Sequence, residues 1–105
     1  MEKIDDLKSP QILEAVLVWT GWGRHPSPRR NDSSVVDHFG AEAAASLLPT
    51  IKLLEEDFYS SDARFVATNI QEMERISAEQ FREKHSDISD KIVKAFAWCY
   101  TFDFK

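Results

Sequence analysis

Apolar residues recur at three- and four-residue intervals through most of this chain, and where the interval fails, a Gly, Pro or short polar residue stands at the break. The first run opens with Ser9-Pro10-Gln11-Ile12. Ser9 can cap free amides, and Pro10 at the first helical position forfeits no hydrogen bond. Ile12, Leu13, Val16, Leu17 and Thr20 then keep a helical spacing, and Gly21 is a natural stop. A strand over Leu13–Thr20 competes, because Ala15-Val16-Leu17-Val18-Trp19 is β-compatible, but the Ser-Pro start favours helix.

Asp32, Ser33 or Ser34 can cap a short second helix through Val35, Val36 and Phe39, interrupted at Gly40. From Ala41, the residues Ala44, Leu47, Leu48, Ile51, Leu54 and Phe58 hold one apolar face across Pro49. That pattern predicts a kinked helix or two abutting helices. Tyr59-Ser60-Ser61-Asp62 reads as a connection, followed by a stripe at Val66, Ile70, Met73, Ser77 and Phe81. The last run carries Ile88, Ile92, Phe96 and Cys99 after a break at Lys84–Asp87, and the alternating tail Thr101–Lys105 predicts a short extended piece. The expected architecture is all-α: one acidic domain over residues 1–105, a compact irregular bundle of four or five helices.

One segment departs from this pattern. Residues 19–32 concentrate two of the three Trp, two of the three Gly, two of the four Pro and three Arg into a loop after the first helix. The glycines permit converging amides, and Arg24, Arg29 and Arg30 could present donors to phosphate or carboxylate. A small anionic ligand is therefore one expectation for the loop. Its specificity is low, since no Gly-Lys-Ser/Thr follows and the strand of a dinucleotide fingerprint is missing.

Charge changes the picture further. The net charge is -5, and it falls on residues 35–105, where 13 Asp or Glu face 8 Lys or Arg; residues 1–34 balance 5 against 5. Such a field disfavours nucleic acid and suits a basic protein partner. Hence the leading expectation is a non-enzymatic protein-binding domain of inhibitor or immunity type, covering a basic cleft. Its candidate contacts are Trp22, Arg24, Arg29 and Arg30 from the loop and Glu55, Glu56, Asp57 and Asp62 from an acidic patch, with Glu72 and Asp87 as further members. Trp19 is expected in the core. A homo-oligomer sharing the apolar final helix or tail is a third expectation.

No catalytic, metal or cofactor set emerges. Three histidines lack ligand spacing, no Ser lies in Gly-x-Ser-x-Gly, and His25 with Asp32 or Asp37 is at most an oriented base. The single Cys99 lies in an apolar run and is expected to be a buried thiol. The chain contains no apolar run of membrane-spanning length, and Met1–Asp6 lacks the features of a secretory signal, so the expected address is cytoplasmic.

Overall fold

A computed structural model describes residues 10–105. Within them the chain is helical: α1 Pro10–Thr20, α2 Asp32–Phe39, α3 Ala41–Tyr59, the single-turn α4 Ala63–Val66, α5 Ile70–Lys84 and α6 Asp90–Phe104. Ser9, the expected first cap, lies outside the described residues. Leu13–Thr20 is helix and not strand. Gly21, at φ +80°, closes α1 by donating its amide to the Leu17 carbonyl at 2.9 Å.

Four boundaries differ from the sequence expectation. The cap of α2 is Asn31, whose side chain accepts from the Ser33 amide at 2.9 Å. Asp32 is occupied elsewhere, by Trp19 and Lys52. The stripe from Val66 to Phe81 is broken at Ala67–Asn69, because Asn69 caps α5 by accepting from the Glu72 amide at 2.7 Å while Glu72 accepts from the Thr68 amide at 2.7 Å. α6 starts at Asp90 under a Ser89 cap rather than near Asp87. Its end also differs, since Thr101–Phe104 continues the helix instead of running extended. The Phe104 ring packs 4.9 Å from Tyr100, one turn back, and 5.8 Å from Tyr59, which rewards the extra helical turn.

α3 runs unbroken across Pro49, which sits on its exposed face with the Ala45 carbonyl it cannot serve. The core gathers where α3, α5 and α6 meet. Phe58 lies 4.9 Å from Phe81 and 6.0 Å from Phe96, and Phe81 lies 6.1 Å from Phe96. Offset and edge-on aromatic pairs at these separations add to the gain from burying their area. Ile12, Val16 and Trp19 bring α1 onto the same cluster, and Val35 brings α2. Cys99 is fully buried in α6, and burial raises its thiol pKa to about 12.

Candidate functional site

The loop after α1 is folded back onto the helix it leaves. The Arg29 amide donates to the Thr20 carbonyl and the Asn31 amide to the Trp19 carbonyl, both at 3.0 Å, so the loop itself satisfies carbonyls that α1 cannot. Trp19 is 3% exposed, and its indole Nε1 donates to Asp32 Oδ1 at 2.9 Å. Lys52 reaches the other oxygen of Asp32 at 2.8 Å, and these hydrogen bonds hold the Asp32 carboxyl below the usual range. Trp22 is half-buried against the core, its amide donating to Thr20 Oγ1.

The three arginines take separate directions. Arg24 pairs with Glu14 of α1 at 3.3 Å, on the same carboxylate oxygen that His38 approaches at 3.4 Å. Arg29 projects from the exposed surface of the loop. Arg30, with φ +48°, crosses to the end of α6 and binds Asp103 through two parallel hydrogen bonds of 3.0 and 3.1 Å. Tyr59 of α3 completes this knot, donating to Asp103 at 2.6 Å and accepting from Arg30 at 3.2 Å. Glu55 stands 3.9 Å from Arg30.

The charge states follow from this packing. Burial is the largest single influence on Arg30 and opposes its cation, but the Asp103 hydrogen bonds together with the neighbouring Tyr59 and Asp103 charges raise its pKa. Burial raises Glu55 above the usual carboxylate range despite Arg30, and burial with the Asp103 contact raises Tyr59. The knot joins three parts of the chain through filled donors and acceptors. Among the described residues, no buried side-chain polar atom lacks a hydrogen-bond partner.

The acidic candidates divide between two sides of α3. Glu55 and Glu56 border an open groove of about 690 Å³ with Pro49, Lys52, Leu53 and Tyr59. Asp57 and Asp62 face α5 instead: Asp57 Oδ2 is 2.9 Å from His85 Nε2, and Asp62 accepts from Gln80 at 2.9 Å. Glu72 serves the α5 cap described above. Among the described residues, no group of three His, Cys, Asp or Glu is placed to hold a metal ion, and no helix is long and apolar enough to cross a membrane.

A surface that sequence reasoning missed lies where α4, the start of α5 and the end of α6 meet. Tyr100 builds it from below. Its hydroxyl donates to the Ser61 carbonyl at 2.9 Å and accepts from the Arg64 amide at 3.0 Å, which fixes the turn into α4. Arg64 then lies with its guanidinium carbon 4.7 Å from the Phe65 ring centre and 4.5 Å from that of Phe104. Phe65 is 75% exposed, Val66 56%, Ile70 50% and Phe104 38%. Arg64, Ile70, Phe104 and Lys105 line a shallow crevice of about 190 Å³ there. A sequence signal existed in Asn69-Ile70-Gln71-Glu72, a helix start that separates α4 from α5 and takes Val66 off the buried stripe.

No protein-family model, curated protein or solved structure matches the chain.

Proposed function

We propose that this chain is a non-enzymatic protein-binding domain that receives its partner on the aromatic end formed by α4, α5 and α6. The observation that carries this reading is the exposure of Phe65, Ile70 and Phe104 around Arg64, with Val66 exposed next to Phe65 in α4. Isolated surface apolar residues are ordinary, whereas a contiguous apolar patch with a polar rim is a feature of interaction sites. Aromatic and arginine side chains are also the types that contribute most to interface energy. The loop arginines support a structural role more than an anionic-ligand site, since Arg24 and Arg30 hold carboxylates on different helices.

Comparative affinity capture from the native host tests the reading. Wild type and Arg29→Ala are expected to recover a stoichiometric protein, including an untagged copy of this chain, and a Phe65→Ser/Ile70→Ser variant of unchanged helical content is expected to lose it. Recovery that ignores Phe65 and Ile70, or recovery of no stoichiometric protein, overturns the proposal.

A further inference from the structure

Arg64 is held ready for an anion that its own domain does not supply. Nη1 donates to the carbonyls of Tyr59 and Ser61 at 3.3 and 3.4 Å, and the two phenyl rings orient the guanidinium plane. No carboxylate among the described residues pairs with it. Arginine offers five donors in a fixed fork, so the remaining edge can take a carboxylate.

Glu56 offers the complementary group. It is exposed on α3, borders the groove with Leu53 and Tyr59, and has no ion-pair partner among the described residues. Tyr59 links the two places: its ring lies 5.8 Å from Phe104, and its carbonyl receives Arg64. Contacts thus run in order from Glu56 beside Leu53, through the rings of Tyr59 and Phe104, to Arg64 beside Phe65, while Lys52, Arg30 and Asp103 along the way are already paired within the domain.

We infer that this strip docks a second copy of the same chain about a two-fold axis near Tyr59 and Phe104, Arg64 of each copy receiving Glu56 of the other. A two-fold contact is self-complementary by construction, and rotation about the middle of an acid-apolar-cation strip brings opposite charges together at both ends. A different protein would have to reproduce that order in reverse, which this chain already carries. A standard contact needs about 800 Å² per copy, roughly one-seventh of the 5982 Å² surface. The inference rests on the docking surface proposed above and names its occupant.

Light scattering and sedimentation up to about 1 mM protein test it. Wild type is expected to dimerise. Glu56→Arg and Arg64→Glu each place like charges in opposition, so each alone should weaken the dimer at least tenfold. An equimolar mixture of the two restores both charge pairs and should form heterodimers. Arg64→Gln, checked with the others by circular dichroism, separates lost pairing from lost folding. A wild type that stays monomeric overturns the inference, as does a dimer indifferent to Glu56→Arg or a mixture without heterodimers. If wild type is monomeric but capture of another protein still depends on Phe65 and Ile70, the docking reading survives and its occupant is a different partner.

Discussion

The loop after α1 and the aromatic end at α4 use similar residues to opposite effect. Both combine aromatic rings with arginine. In the first, Trp19 at the end of α1 has its indole buried and bonded to Asp32, and Arg30 is locked to Asp103, so these residues are spent on holding the fold. At the aromatic end, Phe65, Val66 and Ile70 stay half or more exposed, and Arg64 meets backbone carbonyls and the rings of Phe65 and Phe104 but no carboxylate among the described residues. Unusual composition therefore marks where the chain needs special backbone and side-chain geometry. Unspent contact capacity is the better guide to where a partner docks.

That contrast can be broken by substitution, with stability expected to respond to the loop and not to the aromatic end. Trp19→Ala removes a buried ring and should cost about 3–5 kcal/mol in denaturant unfolding. A value under 1 kcal/mol would make the loop an ornament on an independent bundle. Asp103→Ala leaves Arg30 and Tyr59 without their shared acceptor and should cost about 1–3 kcal/mol. Gly21→Ala forces a side chain onto φ +80°, with its Cβ 2.6 Å from His25 Cδ2, and should cost about 1–2 kcal/mol. Because His25 is exposed and can move aside, the backbone angle dominates that figure.

Acidity sharpens the comparison at a smaller scale. The folded state lowers the Asp32 pKa through Lys52 and Trp19, so the pair stabilises fully above the unfolded carboxylate pKa of about 4 and is lost as pH falls through the folded value. Lys52→Ala should therefore cost less than about 1 kcal/mol at neutral pH, given the exposure of the pair, and the difference from wild type should vanish in acid. Smallest of all, Phe65→Ser should shift stability by no more than about 0.5 kcal/mol while altering association. A large destabilisation there would return the aromatic end to the fold and leave the docking surface without its basis.

Much of the fold was legible because local rules fixed it. Gly21 and Gly40 end helices where their positions predicted, and the apolar faces of α1, α3 and α6 point inward as their spacing required. The Trp19 and Cys99 placements followed from the same periodicity. Arg30 was different. Its partner Asp103 stands 73 residues away, and no local pattern connects a loop arginine to the last turn of the last helix. The acidic run at Glu55, Glu56 and Asp57 is one patch only along the sequence, because successive helical positions differ by about 100° and turn neighbours toward different surroundings. The extension of α6 through Phe104 depended on Tyr59 and Arg30 arriving from elsewhere, so an alternating tail alone pointed the wrong way.

The tie between Arg30 and Asp103 also turns an open string of helices into something nearer a ring. It joins the exit of the first helix to the final turn of the last, across every intervening helix. Fraying normally begins independently at each chain end, and closing a loop costs entropy that grows only slowly with its length. Here unwinding the last turn of α6 breaks the Arg30–Asp103 pair and removes one of the contacts that hold the loop, and opening the loop removes a contact from that turn. The loop and the last turn of α6 are therefore expected to open together, which hydrogen exchange of the backbone amides in both would show.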